Sequence, residues 1–414
     1  MNNDDTKVKG DMNAVKEKLW TKEYIIIALV NFLTAMNFYL LMIIVSEYAI
    51  NTFNASSVQA GFSASIFIIG AFVARIFAGK WLARVGYKKM LFAGIVASII
   101  LTLAYFGANG VFLLLIVRLL HGAAFGIIST SAATIVADII PKERDGEGIG
   151  YYSLSHTLAT AIGPFIGMFL SRHGSYSVIF TACTVASAIS LVTAPFLSLR
   201  KTELTEKQIN DIREFKLGNF VELRVIPVSL ICLLIYLCYS SIVSFLSVYA
   251  KVINLTAAAG FFFIVYAIAV LVTRPAVGKL FDSKGENAVM YPAILIFAIG
   301  MFPFSHSYYG YVLLLAAALI GLGLGAIQSS TQAIAVKITP PHRLGLANST
   351  YFMLCDIGMG IGPVLVGLMI PFLDYRGMYS VVAIIAFACI FLYFLLHGRT
   401  TVATATPQQK IMQK

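Results

Sequence analysis

Long apolar runs alternate with short polar stretches from Tyr24 to His397. About 20 apolar residues in a helix cross the hydrocarbon core of a bilayer. No backbone group can stay unpaired there, so each run reads as a helix. Twelve segments qualify: 24–49, 58–79, 90–108, 111–137, 148–171, 177–198, 225–249, 258–278, 288–306, 310–336, 347–373 and 377–397. The pattern predicts an all-α integral membrane protein with twelve transmembrane helices. The first run is too long for a signal peptide, and no small-residue cleavage site follows it.

Composition agrees: 59% of the 414 residues are hydrophobic and 12% are charged. The net charge of +11 raises the question of nucleic acid, and its distribution answers it. With the N-terminus placed inside, twenty-four of the thirty basic residues fall in inside segments, and three (Arg172, Lys251 and Arg376) fall outside. Positive charge concentrated on one side marks the cytoplasmic face. The expectation is therefore a multi-pass protein of the cell membrane with both termini cytoplasmic, partnered by lipid and not by nucleic acid. The other three basic residues, Arg75, Arg118 and Arg274, lie within helices. The five cysteines sit in apolar runs without a C-x-x-C pair, which implies neither a disulfide framework nor a metal site.

Laid on itself at a constant offset of 199, the chain repeats. Arg75 meets Arg274, Gly79 meets Gly278, Lys80 meets Lys279 and Gly86 meets Gly285. Gly122, Gly126, Pro141, Arg144, Gly146, Gly163 and Pro164 also meet their own kind. The matches are mostly Gly, Pro and Arg, which chance similarity of apolar helices explains poorly. Six helices per half keep both halves in the same orientation, as in transporters whose substrate site lies between two bundles near the midplane. The domains expected are a cytoplasmic segment 1–23, a six-helix bundle 24–198, a polar linker 199–224, a pseudo-symmetric second bundle 225–397 and a cytoplasmic tail 398–414.

The loop after the second helix reads Gly79-Lys-Trp-Leu-Ala-Arg84-Val-Gly86-Tyr-Lys88-Lys89, and its counterpart Gly278-Lys-Leu-Phe-Asp282-Ser-Lys-Gly285. Together with the duplication, this resembles the major facilitator superfamily, which carries G-x-x-x-D-R/K-x-G-R/K-R/K there. In that family the Asp helps latch the cytoplasmic side. Here Ala83 stands at the first Asp position and only Asp282 retains the acid, so the resemblance implies a weaker first latch. Arg118-Leu-Leu-His-Gly122-Ala-Ala-Phe-Gly126 resembles the family's R-x-x-x-G-x-x-x-G element in the fourth helix. Gly163-Pro164-Phe-Ile-Gly167 resembles an element found mainly in its exporters, with Ala159 and Met168 in place of two glycines. The whole is most similar to the twelve-helix drug:proton antiporter group.

Ionisable residues at membrane depth are costly and mark functional candidates. Asp356 is the one carboxylate near mid-depth. Burial in low dielectric suits a carboxylate to proton carriage, and a structural ion pair is the alternative role. Glu47 near the end of the first helix, His121 and His156 complete the proton-coupling candidates. Asn31, Asn37, Arg118, Tyr236, Tyr239, Gln328 and Gln332 are candidates for the substrate cavity, with helix–helix hydrogen bonding as the alternative for the uncharged ones.

No phosphate-binding G-x-x-x-x-G-K-[ST] loop, catalytic pair or metal cluster is present, so neither direct ATP use, an enzyme nor a cofactor is expected. The reading is a monomeric secondary transporter that moves a small molecule by alternating access. Proton-coupled export is favoured by the fifth-helix element, and uptake by proton symport on the same fold is the alternative. The first helix has no acid at mid-depth, and Arg118, His121 and His156 make the interior positive, which leans the substrate towards an anionic or zwitterionic metabolite or drug.

Overall fold

The computed structural model describes residues 18–173, 175–199, 218 and 220–399. Most of the expected terminal segments 1–23 and 398–414 and of the linker 199–224 lies outside the described residues. Twelve long helices run through the described residues: α1 Lys22–Phe53, α2 Ser57–Val85, α3 Tyr87–Ala104, α4 Val111–Ile139, α5 Asp145–His173 and α6 Tyr176–Thr193, then α7 Ile226–Val252, α8 Thr256–Lys284, α9 Glu286–Ser305, α10 Gly310–Lys337, α11 Leu344–Gly367 and α12 Ile370–Tyr393. Eleven are apolar and long enough to cross a membrane. The remaining one, α5, has the length but opens on Asp145, Gly146, Glu147 and Gly148.

Local chemistry sets the helix ends. Thr21 Oγ1 accepts the Tyr24 N–H at 3.2 Å, and Ser56 with Gln59 forms a reciprocal capping box at α2. The α2–α3 and α8–α9 turns pivot on Gly86 (φ 96°) and Gly285 (φ 84°), a left-handed geometry that glycine adopts without Cβ strain. The eleventh apolar run, expected to continue to 373, stops at Gly367. Pro371, which has no N–H to offer, sits in the first turn of α12. Asp374 then leaves helical geometry (φ 53°), and its Oδ1 accepts the Gly377 N–H at 2.9 Å, which restarts the helix.

In the first half α2 packs on α4, α1 on α5 and α6, and α3 on α4 and α6; in the second, α8 packs on α10, α7 on α11 and α12, and α9 on α10 and α12. The halves meet chiefly through α5 against α8 and α2 against α11, which the 199-residue offset relates to each other. Phe112, Val272, Phe372 and Phe391 stand exposed around the outside, as lipid-facing residues do.

Candidate functional site

The centre of the α2–α11 seam is an ion pair between bundles. The Arg75 guanidinium on α2 bonds Asp356 on α11; the side chains are 4% and 20% exposed. Arg75 Nη2 also donates to Ser129 Oγ on α4 at 3.0 Å. The guanidinium lies 5.7 Å from the Phe125 ring centre and 5.0 Å from that of Phe352, within cation–π range. About two turns towards the α4–α5 end, the Ser349 hydroxyl on α11 donates to the Arg75 carbonyl. Asp356 therefore sits two helical turns above a point where the bundles touch, with its side chain 20% exposed.

The α5–α8 seam repeats this frame with different chemistry. Gly150 on α5 faces the Arg274 carbonyl, as Ser349 faces that of Arg75. Arg274 is 2% exposed, and its Nη2 lies 3.5 Å from Gln328 Oε1 on α10, at the limit of hydrogen bonding. Its Nε and Nη1 have no partner among the described residues. Tyr266, stacked on Tyr239 with ring centres 5.6 Å apart, belongs to the same region, as does half-buried Tyr236. His156 on α5 is half-buried, lies edge-on to Tyr39 at 5.5 Å and is within electrostatic range of both Arg274 and Arg75.

The other sequence candidates are placed elsewhere. Arg118 is fully buried inside the first bundle, where Nε donates to the Ser63 carbonyl at 3.0 Å and the guanidinium lies 4.7 Å over the Phe67 ring. His121 stands beside it, bonded to Ser98 Oγ at 3.3 Å and the Tyr105 hydroxyl at 3.2 Å. Glu47 is exposed on α1. Asn31 donates to Ser155 at 2.7 Å, Asn37 to Ser187 at 2.8 Å and Gln332 to Asn348 at 3.2 Å; all three join helices within a bundle. A Cβ on Gly163 or Gly167 would press on Tyr39 or Leu40, so these glycines let α1 approach α5 on either side of Pro164. The seams between the bundles thus bring Asp356, His156, Tyr236 and Gln328 near Arg75 and Arg274. The repeat had already marked both arginines, but spacing does not reveal that they face the opposite half.

Comparison with known proteins settles the family. The model of the Major Facilitator Superfamily matches residues 27–307 and 285–412. The chain belongs to the major facilitator superfamily. Its relatives include an uncharacterised transporter of the superfamily from Methanocaldococcus jannaschii, 28% identical over 373 residues, 88% of this chain and 95% of that one. Multidrug resistance protein MdtG of Salmonella heidelberg is 25% identical over 391 residues, covering 92% of this chain and 96% of its own. Among solved structures, the human organic anion transporter MFSD10 superposes with a TM-score of 0.75 at 14% identity, covering 90% of this chain and 98% of its own. The proton:xylose symporter XylE gives 0.72 at 15% identity, with 90% and 95% covered. At these identities the two structures show the fold. The protein is accordingly a multi-pass membrane transporter of small molecules, not an enzyme.

The loops that drew attention to the superfamily occupy the end of the molecule where the α2–α3, α4–α5, α8–α9 and α10–α11 turns gather. The Asp282 carboxylate accepts the backbone N–H of Gly146 at 2.7 Å and of Glu147 at 2.9 Å, so α8 of one bundle caps the N-terminus of α5 in the other. A Cβ on Gly278 would collide with that same turn, and one on Gly79 would sit tightly against the start of α11. At the first copy of the motif Ala83 offers no acceptor to Gly345 and Leu346, the counterparts of Gly146 and Glu147. Arg84 and Lys89 are exposed, while Lys88 donates to the Pro195 carbonyl at 3.0 Å and also to that of Leu197, and so ties its turn to the end of α6.

Proposed function

We infer that this transporter exports its substrate by proton-coupled antiport, with the turn-rich end facing the cytoplasm and a substrate of anionic or zwitterionic character. The observation that carries the reading is the Arg75–Asp356 pair, which joins the two bundles and leaves the carboxylate side chain partly exposed. The ionised pair, with Asp282 and the glycine contacts, holds the cytoplasmic seam shut. A proton arriving through the cleft neutralises Asp356, releases Arg75 and frees α2 from α11, so the cytoplasmic side opens. Proton loss to the cytoplasm and substrate loading then return the bundles to the outward state. A ligand or proton shifts such an equilibrium only by its differential affinity for the two states, and a charge pair present in one state alone supplies that difference. Relatives named for multidrug resistance support export over uptake.

Asp356→Asn tests the coupling. Reconstituted in liposomes with substrate identified by a panel of cations, anions and zwitterions, the variant loses transport driven by a pH gradient and keeps substrate exchange without one. Intact gradient-driven transport by a stably folded variant refutes the role of Asp356. Loss of both modes together with thermal instability assigns the pair to structure alone, since leaving one partner of a buried pair uncompensated costs roughly 3–5 kcal/mol.

A further inference from the structure

The two seams share a backbone frame and differ in charge. At the 199-residue offset, Arg75 corresponds to Arg274, Ser129 to Gln328, Ser349 to Gly150 and Asp356 to Thr157. Three of these correspondences are visible as contacts. Each arginine carbonyl faces the same position of the opposing helix, Ser349 or Gly150, and each Nη2 reaches the same position of the neighbouring helix, Ser129 at 3.0 Å or Gln328 at 3.5 Å. The fourth is where the halves part. Asp356 neutralises Arg75, whereas Thr157, 5% exposed, spends its hydroxyl on the Ser153 carbonyl at 3.2 Å. The aromatic partners are missing too, because Phe125 and Phe352 correspond to Leu324 and Ser153.

Arg274 is thus a cation 2% exposed, with Nε and Nη1 unpartnered among the described residues, and surrounded by the neutral polar groups of Gln328, Tyr236, Tyr266 and Tyr351. A buried charge left without a counter-charge is expensive, and proteins pair such groups or use them. The residues around it, His156, Tyr236 and Gln328, are half-buried.

We propose that Arg274 is the binding site for an anionic group of the substrate, a carboxylate or a phosphate-type oxyanion, which occupies at the α5–α8 seam the place that Asp356 fills at the α2–α11 seam. The tyrosines and His156 give the remainder of the substrate an aromatic and hydrogen-bonding wall. Arg274 lies on a seam between bundles, so an anion bound there bears on both halves at once, as Asp356 does through Arg75. The inference rests on the reading of the chain as a transporter and adds the chemical class of its ligand and the residue that selects it. It needs neither the direction of transport nor proton coupling.

Thermal unfolding of the purified full chain in detergent, without any gradient, tests the site separately from the antiport. Benzoate and inorganic phosphate serve as anionic probes, with benzyl alcohol and benzylamine as the neutral and cationic counterparts of benzoate. At least one anion is expected to raise the midpoint, and the alcohol and the amine to leave it unchanged. Arg274→Gln weakens the anion response roughly tenfold or more, as loss of hydrogen bonds to a charged group should. If that variant does not fold, Thr157→Asp decides: a carboxylate supplied from α5 pairs with Arg274, abolishes the anion response and leaves the protein at least as stable as Thr157→Asn. An anion response that survives in Thr157→Asp, an equal response to benzylamine, or no response to either anion overturns the proposal. Failure of Asp356→Asn to uncouple transport leaves this result untouched, so the two readings fail independently.

Discussion

Depth in the membrane can be read from sequence one residue at a time, but facing cannot. Asp356 stood out because carboxylates are scarce in the helices, and the structure places it at the seam between bundles. Arg118 and His121 have comparable depth, yet both turn into the first bundle, where carbonyls and hydroxyls satisfy them. Which side of α4 meets α2 rather than the cleft follows from helix packing, and Gly122, pressed on the Phe67 backbone, fixes it. One titratable group that spacing did not single out is Asp145, at the very start of α5. Burial, reinforced by the Asp282 carboxylate and Glu143 and opposed by Lys142 and Lys337, pushes its pKa up to about 7. Opening of the seam would hydrate it and return it towards the ordinary carboxylate range near 4. Between these values the closed state binds a proton that the open state does not, so closure is favoured at lower pH and lost as pH rises through about 7. Spin-label distances across this end should lengthen between pH 6 and pH 8, and Asp145→Asn should remove the dependence. A dependence unchanged in that variant would assign the titration to another group.

At the scale of elements, the repeat foretold most of the architecture. The glycine turns fall at Gly86 and Gly285, and the helix pairs of one half recur in the other. The break at Asp374 was not legible, because an apolar run gives no sign of where a helix pauses unless proline and a capping acid are read together. The two copies of the loop motif yield a prediction about unequal latches. Asp282 receives two N–H groups from the N-terminus of α5, whereas Ala83 has nothing to offer α11. A carboxylate at a partly buried helix N-terminus contributes about 1–2 kcal/mol. Asp282→Asn should therefore shift the equilibrium towards opening at this end by several-fold, and Ala83→Ser should leave it nearly unchanged. Distance distributions measured between α5 and α8 would read both. Equal responses would show that the second copy of the motif carries no special share of the closure.

For the whole molecule, the order of the helices and the distribution of charge together carry the proposal for how it sits in the bilayer. An even number of helices in each half brings the α2–α3, α4–α5, α8–α9 and α10–α11 turns to one end, and these turns with the helix ends flanking them hold Lys80, Arg84, Lys88, Lys89, Lys142, Arg144, Lys279, Lys284, Lys337 and Arg343. The opposite end has Arg172, Lys251 and Arg376, an asymmetry of positive charge that supports the proposal of a cytoplasmic turn-rich end. That orientation decides what the site does. In the proposed orientation the contacts of Gly79, Gly278 and Asp282 lie on the cytoplasmic side, and the cycle we propose would bring protons to Asp356 from outside and the anion to Arg274 from inside when the seam parts. Reversed, the same ion pair would gate uptake. Topology reporters fused at residues 110 and 210 discriminate between the two. The α3–α4 turn should report outside, and the segment between α6 and α7 should report inside. An external signal at 210 would invert the molecule, and with it the direction in which protonation of Asp356 drives the cycle.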